Sequence, residues 1–170
     1  MRTVKLVREL ELSFAAACRR ARFRVVHYSI QPDHVHLLVE AASKHELACG
    51  MKSIGARIAR AVNRVFHLRG RVLADRFHLH VLRTPREVRH ALAYVLLNAR
   101  RHLAKLGVRP SARPLLDPAS SGWWFDGWSR KLRALSNPGP SAVSPPRTWL
   151  LRAGWRRHGL IDPVEVPGCP

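Results

Sequence analysis

The fold is decided by residues 24–40, which read RVVHYSIQPDHVHLLVE. Two runs rich in β-branched and apolar residues flank a Gln-Pro-Asp turn, a pattern typical of a β-hairpin. Because side chains alternate between the faces of a strand, His34 and His36 share one face, while Val35 and Leu37 lie on the opposite, core-facing side. We therefore predict a hairpin that carries two imidazoles on one face.

Helical periodicity surrounds this hairpin. Apolar residues recur at spacings of three and four in residues 3–21, in residues 44–68 and in residues 84–106, which predicts three amphipathic helices. The third begins with Thr84 and has Glu87 three residues later, as in a capping box. Residues 76–82 alternate again and predict a further strand after the second helix.

The charge of the chain points to a polyanionic partner. Its 170 residues include 30 Lys and Arg against 11 Asp and Glu, a net charge of +19. Such a field attracts nucleic acid and other polyanions, and it argues against an acidic scaffold or an acidic small-molecule enzyme. The apolar fraction of 46% is enough for a folded core. Nucleic acid is therefore the expected partner.

Cysteine usage and hydropathy indicate the compartment. The three cysteines have no CxxC spacing and are odd in number, which favours neither a zinc ribbon nor a disulfide framework. No stretch approaches the roughly 20 apolar residues of a membrane-spanning helix. We expect a soluble, cytoplasmic protein of bacterial type, associated with the nucleoid and not with a membrane.

Composition changes after Pro110. Nine of the 12 prolines follow it, and the net positive charge is concentrated before it. We predict a domain over residues 1–110 and a Pro/Trp-rich extension over residues 111–170 that packs against it. A short helix is predicted near residues 148–157.

Two groups of residues are candidates for chemistry. His34 and His36 could bind a metal, but a second pair with the same spacing, His78 and His80, shows that half-exposed strand histidines are the alternative. On the third helix, His90, Tyr94, Asn98 and Arg101 form one polar stripe. There Tyr94 could be a nucleophile beside an amide ligand, or an amphipathic tyrosine with its ring in the core.

Three segments taken together carry a family resemblance. Residues 31–40, 70–78 and 86–98, in this order and spacing, resemble the single-tyrosine HUH transposases of insertion sequences, particularly the REP-associated tyrosine transposases. The resemblance covers residues 23–106 and leaves out the extension. It implies a ferredoxin-like α+β domain with an antiparallel sheet and helices on one face. It also implies cleavage and rejoining of single-stranded DNA near hairpins, with one divalent metal, Mg or Mn.

The resemblance also assigns roles to individual residues. His34 and His36 match the metal-binding pair, Tyr94 matches the nucleophile that forms a 5′-phosphotyrosine link, and Asn98 matches the third metal ligand. His78 and His80 receive no metal role. In the family a strand precedes the first helix, and this sequence starts in that helix. We therefore hypothesise a misassigned start codon, or a decayed or domesticated copy that lacks the first strand.

Further residues are candidates from the sequence alone. His90, one turn before Tyr94, is a candidate proton acceptor. Trp123, Trp124 and Trp128 are expected to fasten the extension and not to stack on bases. A basic row on the second helix, which could also be only a solvated face, and one arginine of the third helix are expected to bind the DNA backbone; these residues are Arg57, Arg60, Arg64 and Arg101.

Three functions are compatible with these observations. The first is a single-stranded DNA transposase or nuclease-ligase. The second is a non-catalytic or domesticated nucleic-acid-binding module derived from such a transposase. The third is a metal-dependent hydrolase that uses water as its nucleophile. The protein is expected to act as a monomer or a homodimer.

Overall fold

A β-hairpin lies at the centre of the fold. The computed structural model describes residues 2–18, 22–74, 77–108, 113–130, 132 and 140–168. The elements of this part of the chain are α1 (Val4–Ala17), β1 (Phe23–Ile30), β2 (Val35–Ala41), α2 (Lys44–Phe66), α3 (Pro85–Leu96), α4 (Asn98–Lys105) and α5 (Trp149–Arg152), with 3-10 turns at Ser121–Trp124 and Gly154–His158.

The predicted hairpin is confirmed. β1 and β2 pair antiparallel from Phe23 opposite Ala41 to Ile30 opposite Val35, with one irregularity near Val26. Every residue of β1 is buried. Burial on both faces of a strand requires covering layers on both sides of the sheet.

Different elements cover the two faces of the hairpin. Val35, Leu37 and Val39 pack with α1 and α2 in one core. Leu38, which points the other way, packs with α3 and with the extension in a second core. The α+β class with an antiparallel sheet is therefore confirmed, and its helices are divided between the two faces.

The second edge of β1 is occupied by the extension. The Ile30 amide donates a hydrogen bond of 2.9 Å to the Ala119 carbonyl, and the Ser144 amide donates one of 2.9 Å to the Val25 carbonyl. The Tyr28 amide donates to the Ser121 hydroxyl at 2.9 Å. Loop segments here supply the partners that a third strand would otherwise provide.

The predicted third strand is wrong for residues 77–82, which form neither strand nor helix; residues 75 and 76 lie outside the described part. Phe77, Leu79 and Val81 are 49%, 56% and 57% exposed. A strand needs a neighbour for its backbone groups, and an alternating pattern does not guarantee one. Within the described chain, β2 pairs with β1 alone.

The third predicted helix is divided in two. The capping box of Thr84 and Glu87 is present at its start, as predicted. At Leu97 the backbone leaves helical geometry, with φ −111° and ψ 19°, and α4 begins at Asn98 without a side-chain cap. The prediction of one continuous helix over residues 84–106 is therefore wrong at Leu97.

The extension packs against α3. Phe125, Trp155 and Ile161 are buried in the same core as Val88 and Leu92 of α3. Arg89 of α3 also forms a two-pronged ion pair with Glu165, with distances of 2.7 and 2.8 Å. The short helix predicted near residues 148–157 is present as α5 and the following 3-10 turn. Residues 109–112, at the predicted boundary, lie outside the described part.

His27 couples this packing to pH. Burial lowers its pKa from 6.5 to about 4, a shift that Asp126 partly opposes. In the unfolded chain the same imidazole takes up a proton near pH 6.5, so the unfolded state binds more protons between these two values. We predict that the free energy of unfolding falls by about 3 kcal/mol on account of His27 as pH drops from 6.5 to 4.

Urea unfolding measured across this pH range checks the prediction. His27→Gln is expected to flatten the pH dependence, and the matched control replaces the exposed His158 with Gln. An unchanged pH dependence in His27→Gln would contradict the assignment.

Candidate active site

The two histidines of the hairpin face each other. His34 Nε2 lies 2.9 Å from His36 Nε2, and the ring planes cross at 81°. Asp33 Oδ1 lies 2.7 Å from His34 Nδ1. This hydrogen bond holds the pKa of the Asp33 carboxyl below its ordinary value. An ionised carboxylate can only accept, so Nδ1 of His34 donates and its Nε2 carries the lone pair when the ring is neutral.

The environment of His36 keeps it neutral. Burial, together with the positive charges of His34, His102 and Arg101, lowers its pKa from 6.5 to about 4, although Asp33 partly opposes the shift. An uncharged imidazole has a lone pair available for a metal ion. The hairpin therefore presents an imidazole that Asp33 orients, His34, beside one that burial keeps uncharged, His36.

Tyr94 lies directly beside this pair. Its ring centroid is 4.9 Å from that of His36, with the planes at 77°. The Arg101 guanidinium lies 4.9 Å from the centre of the Tyr94 ring. The structure thus brings together the His pair, the tyrosine and one arginine of the predicted set, although β2 and α3 are far apart in sequence.

Asn98 occupies a buried position one turn beyond Tyr94. It is 0% exposed, and neither atom of its amide has a hydrogen-bond partner among the described residues. A buried amide without a partner is costly, so a position of this kind suits a ligand or a bound water. The described contacts do not join Asn98 to His34 or His36.

These residues fit a divalent metal ion. The 2.9 Å between the two Nε2 atoms is close to the roughly 3 Å between adjacent ligands of an octahedral ion with bonds of about 2.1 Å. In the described part of the chain, no group of three or more His, Cys, Asp or Glu side chains is arranged to hold a metal ion. Among the described residues, a third protein ligand would be of another type, and the buried amide of Asn98, which has no partner there, is a candidate.

Sequence reasoning missed Asp33 and His102 as members of this cluster. The His102 ring lies 6.3 Å from that of His34. The signal was present, because His102 extends the helical spacing of Tyr94 and Asn98 by four more residues. Asp33 was assigned only to the turn, yet it is the residue that orients His34.

Other predicted residues lie elsewhere. Arg57, Arg60 and Arg64 are on α2, which covers the face of the hairpin opposite to Tyr94. Of these, Arg64 donates to Glu9 Oε2 at 2.8 Å. His90 is exposed, and no described contact joins it to Tyr94. The basic row is therefore separate from the cluster around Tyr94.

A comparison with known protein families finds a match for the segment that contains the hairpin. Residues 2–83 match the family model described as "Transposase IS200 like". Residues 2–83, slightly less than half of the chain, are thus similar to the IS200-like transposases. This similarity indicates a function related to DNA transposition, with DNA as the partner. The match includes His34 and His36 and ends before α3, so Tyr94 and Asn98 lie beyond it.

Two further comparisons found no relatives. No curated protein matches the chain, and no solved structure does. In the described part of the structure, none of the helices has the length and apolar character needed to cross a membrane.

Glu40 ties the IS200-like segment to the extension. Its carboxylate accepts hydrogen bonds from the Arg147 amide at 2.8 Å, the Thr148 amide at 2.9 Å and the Thr148 hydroxyl at 2.6 Å. The side chain is only 9% exposed. Glu40 thereby fixes the start of α5 to the strand that carries His36.

We predict that Glu40→Ala lowers the free energy of unfolding by about 2–4 kcal/mol, because three donors lose a charged acceptor in a buried place. Glu40→Gln, which keeps one acceptor oxygen but loses the charge, is expected to lower the free energy of unfolding by less. Urea unfolding and limited proteolysis of the extension measure both effects. A Glu40→Ala protein as stable as the parent would contradict this role.

Proposed function

We propose that this protein cleaves and rejoins single-stranded DNA near hairpin structures through a covalent 5′-phosphotyrosine intermediate on Tyr94. The observation that carries the proposal is the Tyr94 ring 4.9 Å from the ring of His36, whose Nε2 faces that of His34. The similarity of residues 2–83 to the IS200-like transposases supports DNA as the substrate. The reaction belongs to DNA transposition, on nucleoid DNA in the cytoplasm, by a monomer or a homodimer.

The chemistry is a transesterification. The Tyr94 oxygen attacks the scissile phosphorus in line, a new oxygen–phosphorus bond forms, and the bond to the 3′ oxygen breaks. The phenol gives up its proton, and the departing 3′ oxygen takes one up to become a hydroxyl. Because one phosphodiester replaces another, a 3′-hydroxyl can reverse the step and rejoin DNA without ATP.

His34, His36 and Asn98 would hold a divalent ion, Mg or Mn, beside Tyr94. When bound, such an ion polarises the scissile phosphate and offsets the charge that develops during the displacement. Asp33 keeps Nε2 of His34 turned towards His36, which orients the pair before any ion binds. Arg101, whose guanidinium lies over the Tyr94 ring, would pair with a phosphate oxygen of the entering strand.

The second candidate is a nucleic-acid-binding module that has lost catalysis. It is favoured by the two-stranded sheet of the described chain and by the unpaired residues 77–82. Such a module binds DNA with strong salt dependence but forms no covalent adduct. The experiment on Tyr94 separates the two functions.

We predict that Tyr94→Phe abolishes covalent capture of a labelled, single-stranded hairpin oligonucleotide. The phenylalanine ring can keep the packing against His36 but has no nucleophilic oxygen. Denaturing gel electrophoresis with Mg²⁺ or Mn²⁺ measures the adduct. The matched control is Tyr28→Phe, since Tyr28 is the other tyrosine of the chain and is buried in the core that contains α1 and α2.

Each outcome of this assay has one meaning. An adduct undiminished in Tyr94→Phe would refute the nucleophile. Cleavage that persists in Tyr94→Phe without an adduct would indicate a hydrolase with a water nucleophile. Binding by the parent without cleavage or adduct would indicate the non-catalytic module.

Metal binding is a separate prediction. His36→Asn is expected to weaken Mn²⁺ binding more than about tenfold, because the change removes one of two imidazole ligands. Isothermal titration calorimetry measures the affinity in the absence of DNA. His90→Asn serves as the control, since His90 is exposed and outside the cluster. Equal Mn²⁺ affinity in His36→Asn and the parent would exclude the His pair as the site.

A further inference from the structure

The extension carries a cationic and aromatic surface that the proposed reaction does not use. Residues 147–159 read RTWLLRAGWRRHG and contain four arginines, two tryptophans and no acidic residue. Trp149 is 51% exposed, although tryptophan is usually among the more buried residues. Arg152, Arg157 and His158 are exposed beside it in sequence. We name Trp149, Arg152, Arg157 and His158 the α5 patch.

The ring of Trp149 is held in place by its neighbours. Gly154 lies so close that a Cβ there would come within 2.7 Å of the ring, so only glycine permits this packing. The Arg157 guanidinium lies 4.9 Å from the ring centre. A fixed aromatic ring joined to a guanidinium plane is a surface on which unpaired bases stack.

The neighbouring residues Trp155 and Arg156 differ from the α5 patch in burial and in ion pairing. Trp155 is 1% exposed, and Arg156 forms an ion pair of 2.8 Å with Asp126. Arg152 and Arg157 form no ion pair with a carboxylate among the described residues. Trp155 therefore serves packing, whereas the α5 patch keeps its ring and its positive charges available.

The α5 patch lies on the same side of the sheet as the His pair. His36 and Glu40 are four residues apart on β2 and so share a face, about 13 Å apart along the strand. Glu40 binds the backbone of Arg147 and Thr148, directly before Trp149. A nucleic-acid strand at Tyr94 can therefore continue along this side of the sheet towards the patch.

We propose that the α5 patch binds the single-stranded DNA that flanks the cleavage position, with a base on Trp149 and Arg157 and phosphates on Arg152 and Arg157. This inference rests on the proposed function, since the strand it binds is the one that reaches Tyr94. Single-stranded DNA fits because it offers both phosphates and free base faces, whereas a duplex keeps its bases stacked inside.

The experiment compares a short hairpin oligonucleotide with one extended by single-stranded DNA on both sides. Fluorescence anisotropy gives the affinity for each, and their ratio is the gain due to the flanks. Trp149→Leu is expected to reduce this gain about fivefold or more, whereas Trp149→Phe keeps most of it because a stacking ring remains.

Charge removal gives an independent measurement. Replacing Arg152 and Arg157 together with Ala is expected to lower the salt-dependence slope for the extended oligonucleotide by about 1.4, or about 0.7 for each lost phosphate contact. The matched control replaces Lys5 and Arg8 with Ala, because both are exposed on α1, on the opposite side of the hairpin. That control should keep the gain due to the flanks.

The outcomes separate this inference from the proposed function. The patch variants should still capture the short oligonucleotide covalently, because the Tyr94 cluster is untouched. An unchanged gain in Trp149→Leu and in the double arginine variant would overturn the patch. An equal gain from RNA flanks, or patch-dependent binding to phosphatidylserine vesicles and not to DNA, would also overturn it. Absence of an adduct in the parent would refute the proposed reaction and leave this binding measurement intact.

Discussion

The backbone of β1 is the constraint on which the rest of the structure depends. This strand is buried at every position, so its amides and carbonyls need partners within the protein. β2 supplies them on one edge, and the extension supplies them on the other, through Ala119 and Ser144. The IS200-like segment therefore depends on the extension, because without it the second edge of β1 would have no hydrogen-bond partners.

The two faces of β2 contact different parts of the protein. Val35, Leu37 and Val39 join the core with α1 and α2, which supports the hairpin. The other face carries His36, Leu38 and Glu40, which contact Tyr94, the core of α3 and the start of α5 respectively. One strand, β2, thereby contacts the candidate nucleophile, the helix that carries it, and the start of the basic surface in the extension.

Local patterns were predicted well. The hairpin follows from two β-rich runs around a Pro-Asp turn, and the capping box of Thr84 and Glu87 is a contact over three residues. The strand predicted for residues 77–82 depended on a distant partner, which the alternation of side chains cannot supply. The break at Leu97 interrupts a periodicity that continues through it, so the pattern alone does not reveal it. The contact between Asp33 and His34, in contrast, joins neighbours in the turn and was missed although it is local.

The sequence by itself determined the charge, the hairpin, the helix starts and the motif that marks the IS200-like segment, because these arise from composition and short-range geometry. Only the tertiary structure decided that Tyr94 lies against His36, that burial keeps His36 neutral, and that Arg57, Arg60 and Arg64 lie on the opposite face. It also decided which tryptophan is exposed, since Trp149 and Trp155 differ in burial and not in local sequence character. Burial and proximity between distant segments are properties of packing, which no local pattern contains.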